Sequence, residues 1–246
     1  MLEMLRTARG VLRSLGVYYG RKSRSAEKDA LYREFVKPGD LVFDVGAHVG
    51  DRVASFKRLG ARVVAVEPQP ALVFTLKTLY GRDRNVTIEG KAVGRSAGTL
   101  AMKINVDNPT ISTASDAFID ASRGAAGWEG QVWGKSIEVP VTTLDALITA
   151  HGIPAFVKID VEGFEEEALA GLTRPVAALS FEFTTIQRGV AKACIARCAA
   201  LGFARYNAAI GESQELGQWR SAEDIARWLD ALPHEANSGD IYARMA

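Results

Sequence analysis

LVFDVGAHVGD, residues 41–51, is the stretch whose reading decides the fold. An apolar run of strand length, Leu41 to Val45, passes through a glycine turn into a helix expected over residues 49–59. Gly46 can take backbone conformations closed to other residues and carries no side chain to block a ligand, while Gly50 allows close packing of the helix. The arrangement is that of a nucleotide-binding turn at the carboxyl end of a first parallel strand. The dinucleotide fingerprint requires G-x-G-x-x-G. Here the spacing is Gly46-x-x-x-Gly50, with His48 at the middle-glycine position, so a pyrophosphate loses its close backbone approach. Asp44 points the same way, since a carboxylate repels a diphosphate and attracts an ammonium or a sulfonium.

Three further motifs follow the same logic. In VVAVEPQP (63–70), Glu67 ends the next apolar strand, 23 residues after Asp44, where an acid accepts both hydroxyls of a ribose; Pro68 then opens a helix. In FVKIDVEGFEEEAL (156–169), Lys158, Asp160 and Glu162 alternate at the end of a later strand, which directs Asp160 and Glu162 to one face. Glu165, Glu166 and Glu167 fall in the first turn of the following helix, a structural placement. In LSFEF (179–183), Glu182 interrupts an apolar run, so it stands at the open end of its strand or is buried at a cost.

Between these motifs, apolar strand-length runs alternate with helical periods: strands at 41–45, 62–66, 85–93, 156–161, 177–183 and 203–207, and helices at 71–80, 144–150, 163–171, 187–201 and 221–229. A last strand is expected at 241–244. This is the pattern of an α/β domain with a mostly parallel sheet and helices on both faces. Residues 1–38 read as an N-terminal helical extension and 39–246 as the main domain. Strand-like runs at 98–105 and 136–143 flank an insertion or lid at about 106–135, rich in Gly, Ser, Ala and Thr but anchored by Trp128 and Trp133.

The extension pairs Leu2, Leu5, Leu12 and Leu15 with a polar face of Arg6, Arg9 and Arg13, and Arg21, Lys22, Arg24 and Lys28 come farther along the chain. Such a helix packs on its own domain or a second subunit, giving a homo-oligomer, or rests on an anionic membrane. The first is expected, because Gly10 and Gly16 break the stripe. Tyr18 and Tyr19 follow it, in reach of a pocket. The net charge of +1 gives no global reason to expect a nucleic-acid partner. No 18-residue apolar run is present to span a membrane. Cys194 and Cys198, four residues apart in a helical stretch, read as packing residues and suggest a reducing compartment, the cytoplasm.

FDVGAHVGD, VVAVEPQP, GKAVG (90–94), VTTLDAL (141–147) and VKIDVEGFE, in this order, together resemble the FkbM family of methyltransferases. The resemblance covers roughly residues 40 to 185. It implies a Rossmann-like class I methyltransferase fold, S-adenosyl-L-methionine as methyl donor, and O-methylation of a sugar, polyketide or related small metabolite. Carried over by motif, Asp44, Gly46 and Ala47 would hold the methionine part, Glu67 the ribose, Ala92 and Val93 the adenine, and Asp160 and Val161 the floor near the sulfonium. The family usually has Asn where this chain has His48. A base for the acceptor hydroxyl is expected among His48, Asp160, Glu162 and Glu182. The three acids are also oxygen donors that suit a divalent metal such as Mg²⁺. The rival readings are a nicotinamide-dependent oxidoreductase, disfavoured by the missing glycine and by Asp44, and a non-catalytic binding protein on the same scaffold.

Overall fold

A computed structural model describes the backbone of residues 2–20 and 22–246 and the side chains of residues 6–20 and 25–246. Two helices lead in, α1 (Leu2–Tyr19) and α2 (Lys22–Tyr32). Strands and helices then alternate: β1 (Leu41–Val45), α3 (Asp51–Arg58), β2 (Arg62–Val66), α4 (Pro70–Tyr80) and β3 (Val86–Glu89). A side excursion holds β4 (Ala92–Val93), β5 (Gly98–Ile104), α5 (Asp116–Ser122) and β6 (Lys135–Thr142). The alternation resumes with α6 (Leu144–His151), β7 (Phe156–Ile159), α7 (Glu165–Ala170), β8 (Ala178–Thr184), α8 (Arg188–Ala200), β9 (Arg205–Ile210), α9 (Ala222–Ala231) and β10 (Ser238–Arg244).

Seven strands form the main sheet in the order β3-β2-β1-β7-β8-β10-β9. It is parallel from β3 through β8, and β10 runs antiparallel to both of its neighbours. The strand order reverses between β1 and β7, which opens a crevice at their carboxyl ends, where open α/β sheets take their ligands. Each strand feeds two cores, because its side chains alternate between faces. Phe43, Val45, Val64 and Val66 pack with helices α6 to α9 on one side. Val42, Val63 and Ala65 pack with Leu31, Tyr32, Phe56 and Leu76 of α2, α3 and α4 on the other. Both faces being covered explains the unbroken apolar run of β2.

The structure departs from the sequence expectation in several places. The strand expected at 85–93 is two strands in two sheets: β3 joins the main sheet, and β4 joins a three-stranded sheet ordered β4-β6-β5. The break is a tight turn in which the Lys91 N–H donates to the Glu89 carbonyl at 3.0 Å. Helix α3 starts at Asp51, not Val49, because His48 and Gly50 hold positive φ of 50° and 82°. Pro70, not Pro68, is the first residue of α4. The last strand, β10, is longer than expected and lies between β8 and β9.

The insertion is folded. The Ser115 hydroxyl caps α5 by accepting from the Phe118 N–H, and buried Phe118 meets Trp128 edge-on at 5.1 Å. Lys28 is not part of a basic surface: it is buried and ion-paired with Asp51. Arg21 and the side chains of Leu2, Leu5, Lys22 and Arg24 lie outside the described residues. Among the described residues, no helix is long and apolar enough to cross a membrane.

Candidate active site

The first wall of the crevice is the turn after β1. The Gly46 and Ala47 N–H groups both donate to the Val66 carbonyl, at 2.9 and 3.0 Å, and so pin the turn to β2. Gly46 has φ 83°, and a Cβ there would stand 1.7 Å from the Asp160 carbonyl oxygen. Its lack of a side chain therefore serves a backbone contact with the β7 loop. Gly50 lacks one for a different neighbour, since a Cβ would meet the Tyr80 ring at 2.6 Å. Glu67 accepts from the His48 N–H and the Gln69 N–H, both at 2.9 Å, and thereby ties this turn to the start of α4. Burial raises the Glu67 carboxyl to about 7.

Asp44 stands in register with Lys158 across the β1–β7 pair. It is 1% exposed, burial raises its carboxyl to about 7, and its Oδ2 has no hydrogen-bond partner. A buried carboxylate oxygen without a protein partner, on a residue that lines a crevice, has room to accept from water or from a ligand donor, or to face a cation.

The second wall follows β7. Lys158, 1% exposed, donates from Nζ to Asp240 Oδ1 at 2.8 Å and to Asp160 Oδ2 at 3.0 Å. Burial opposes its charge, but Asp160 and Asp240 outweigh burial and hold it well above the ordinary lysine range. Asp160 shares a hydrogen bond with Glu182; burial pushes Asp160 up, and Lys158, Arg52 and the hydrogen bonds pull it below the usual carboxylate range. Glu162 and Glu182 go the other way: burial first, then the negative charge of Asp160, raises both well above it. The strand ends at Ile159, and Glu162 has φ 55°, so strand alternation does not place it. The loop nevertheless brings carboxylate oxygens of Asp160, Glu162 and Glu182 within 4.8 Å of one another. Glu165 holds that loop, its Oε1 accepting from the Val161 N–H at 2.9 Å and the Gly163 N–H at 3.3 Å.

Together these walls enclose about 990 Å³, the solvent-facing mouth included, within the range of small-molecule sites. Asp44, Gly46, His48, Glu67 and Pro68 line it on one side. Ala92, Val93, Asp160, Val161, Glu162 and Glu182 line the other. Ala47 and Gly50 do not reach it: Ala47 packs in the core and Gly50 against α4. The His48 ring sits edge-on to Tyr18 with centroids 5.5 Å apart, and its Nε2 lies 3.3 Å from the Thr110 hydroxyl. Burial lowers its pKa, so the ring is predominantly neutral at pH 7.

Sequence reasoning missed a group of charges in the crevice wall, which Asp51, Arg52 and Glu212 line. Asp51 is paired with Lys28 and, at 2.6 Å, with Arg52; Arg52 also reaches Glu212 at 3.3 Å. Burial disfavours the Asp51 carboxylate, but Arg52 and Lys28 override it and keep the group ionised. Asp240 was the other omission. Adjacent Asp51-Arg52 at a helix start was a legible signal; Asp240 had none, because its partner lies 82 residues away.

The family model described as the methyltransferase FkbM domain matches residues 44–236. The chain belongs to the FkbM methyltransferase family. A curated relative, the 31-O-demethyl-FK506 methyltransferase FkbM of Streptomyces tacrolimicus, is 29% identical over 181 residues, 60% of this chain and 70% of that one. Similar solved structures include the precorrin-6y C5,15-methyltransferase of Geobacter metallireducens, with TM-score 0.44 and 13% identity over 90% of this chain and 87% of that one. Another is a TehB-like SAM-dependent methyltransferase of Corynebacterium glutamicum, with TM-score 0.45 and 11% identity over 89% and 88%. The FkbM match begins at Asp44; Tyr18 and Asp240, both part of the crevice or its support, lie outside it.

Proposed function

We propose that this FkbM-family chain uses S-adenosyl-L-methionine to methylate a hydroxyl oxygen of a small acceptor: a sugar, a polyketide or a related metabolite. The observation that carries the reading is the unpartnered Oδ2 of buried Asp44 in the crevice wall, which fits a cationic cofactor and opposes a diphosphate. Glu67 is fully engaged with backbone N–H groups, yet each carboxylate oxygen keeps a second acceptor position for a ribose hydroxyl. Ala92 and Val93 offer an apolar wall for a flat base. The oxygen acceptor is supported by the 31-O position in the name of the Streptomyces tacrolimicus relative.

When bound, the cofactor supplies an electrophilic methyl carbon on a cationic leaving group. The chain's own residues align the acceptor oxygen and take its proton, contributions that for general bases amount to about 10²–10⁴-fold. We assign the proton to the Asp160–Glu182 pair. Two carboxyls that share a hydrogen bond, one pulled down by Lys158 and one raised by burial, are placed to hold a proton between them. His48 has a different task. Asn and His are among the non-glycine residues that tolerate a positive φ, and the 50° at this position explains both residues there. Its imidazole packs between Tyr18 and Thr110.

A second reading rests on the same three carboxylates, whose close oxygens are a donor set that Mg²⁺ accepts. Inactivation by a chelator, reversed by Mg²⁺, would replace proton sharing by coordination. The buried, unpaired thiols of Cys194 and Cys198 support a reducing compartment, the cytoplasm. The test is calorimetric titration with S-adenosyl-L-methionine and, separately, NAD⁺, followed by labelled methyl transfer to a panel of hydroxylated metabolites. Binding of the first alone, with label recovered as an acid-stable ether, is expected; binding of NAD⁺ alone would overturn the reading.

A further inference from the structure

Glu67 follows β2 and Glu212 follows β9, so the crevice runs across the β1–β7 switch from the cofactor side proposed for Glu67 to the far half of the sheet. At that far end Arg52 of α3 reaches Glu212 at 3.3 Å, and Glu212 is exposed at the mouth. Tyr18 of α1 lines the crevice too, beside His48. Its neighbour Tyr19 is tied down, its hydroxyl donating to the Val49 carbonyl at 3.1 Å and lying 2.6 Å from the Tyr80 hydroxyl. The Tyr18 hydroxyl has no hydrogen-bond partner among the described residues. Burial first, then the negative charges of Asp51, Glu212 and Asp160, raises it above the ordinary tyrosine range, so it stays a neutral hydroxyl on the acidic side of the crevice.

The three lysines and arginines that line the crevice are all paired already. Lys158 holds Asp160 and Asp240, Arg52 holds Asp51 and Glu212, and Lys91 lies 2.9 Å from Glu89. Acids are in excess, since Asp44, Glu162 and Glu182 have no ion-pair partner among the described residues. A phosphate or carboxylate entering here meets carboxylates and no uncommitted cation. Uncharged hydroxyls meet a donor and an acceptor side by side in the Arg52–Glu212 pair, and a Tyr18 hydroxyl able to do both. We propose, resting on the methyltransferase reading, that the acceptor is a polyhydroxylated ring free of phosphate and carboxylate, a glycoside and not a sugar phosphate or nucleotide sugar, and that Tyr18 with the Arg52–Glu212 pair selects it. A sugar built from a nucleotide-activated precursor would reach this site only after glycosyl transfer has removed its diphosphate.

Calorimetry in two stages tests this. The full chain is first saturated with S-adenosyl-L-homocysteine, the demethylated cofactor, and then titrated with a panel of methyl hexosides and their phosphorylated counterparts. The neutral member of a pair is expected to bind about tenfold or more tightly than the charged one. Tyr18→Phe should weaken binding of the neutral member about three- to tenfold, the loss of one neutral hydrogen bond, with cofactor affinity unchanged. Glu212→Lys, at an exposed position, frees Arg52 and adds a cation, so it should improve binding of the phosphorylated member about tenfold. Equal binding of both members by the wild type, a Tyr18→Phe variant with wild-type acceptor affinity, or a Glu212→Lys variant as selective as the wild type would overturn the proposal. Binding of neither member, by a protein that takes the cofactor, would overturn it as well and leave the methyltransferase reading standing. Failure at the first stage would fall on that reading instead.

Discussion

Two loops leave adjacent parallel strands at the crevice, and they are built alike but charged differently. The loop after β1 holds a non-glycine residue at positive φ, His48, two residues before Gly50; the loop after β7 holds Glu162 immediately before Gly163, also at positive φ. Each has an aspartate at its root: Asp44 lies within β1, one residue before its end, and Asp160 directly follows β7. Asp44 has an oxygen with no partner, whereas Asp160 is held by Lys158 and shares a hydrogen bond with Glu182. One carboxylate is left incomplete and the other is completed within the protein. On the proposed function, the difference separates two tasks: the incomplete charge takes the cationic cofactor, and the charge held by a lysine and a neighbouring acid handles the proton.

Lys158 anchors the completed loop, and its replacement should have the largest effect. Lys158→Met leaves Asp240 buried, and half-buried Asp160, without their cation, a loss of about 3–5 kcal/mol expected from a broken buried pair. Chemical denaturation should show it as a large drop in midpoint. Restoration by the double variant Lys158→Met with Asp240→Asn would identify the buried charge as the cause.

Next in size is Gly46→Ala, which joins the two loops by a clash. A Cβ 1.7 Å from the Asp160 carbonyl, at φ 83°, combines overpacking with left-handed strain, about 2–5 kcal/mol in all. A melting temperature equal to wild type would mean that the loops are not in contact in solution.

Glu182→Gln sharpens the comparison through pH. On the proposed reading, a proton held between the raised Glu182 carboxyl and the depressed Asp160 blocks the base form. Activity should therefore rise with pH in the wild type. The variant, which keeps a donor beside Asp160 but cannot ionise, should shift that rise to lower pH and lower its plateau. An unchanged pH–rate profile would remove Glu182 from proton transfer. The smallest effect is expected from His48→Asn, which keeps a residue tolerant of positive φ; rate and affinity should stay close to wild type, whereas a fall of 10²-fold or more would restore His48 as the base.

Much of this was legible before the structure. The alternation of apolar strands and helical periods gives the parallel sheet, and Asp44, Glu67, Asp160 and Glu182 all reach one crevice as their strand-end positions imply. What was not legible depends on contacts distant in sequence or on short elements. Asp240 acquires its role from an antiparallel strand inserted between β8 and β9, which local pattern does not reveal. The seven-residue α5 is too short to show a period and is fixed by the Ser115 cap and the packing of Phe118. The glycine at 46 was readable as a necessity, but its reason was assigned to a ligand when the neighbouring backbone requires it.

Asp44→Asn tests the central claim most directly, measured both by calorimetry with S-adenosyl-L-methionine and by melting of the unliganded protein across pH. The folded carboxyl, raised by burial to about 7, lies above its unfolded value of about 3.9, so the folded state holds the extra proton and Asp44 costs stability as pH rises from one value through the other. The account predicts that the variant melts higher than wild type at pH 8, equals it near pH 4, and binds the cofactor about 10- to 100-fold more weakly, the loss expected for a charged hydrogen bond. A variant that binds with wild-type affinity would contradict it, whatever its melting temperature.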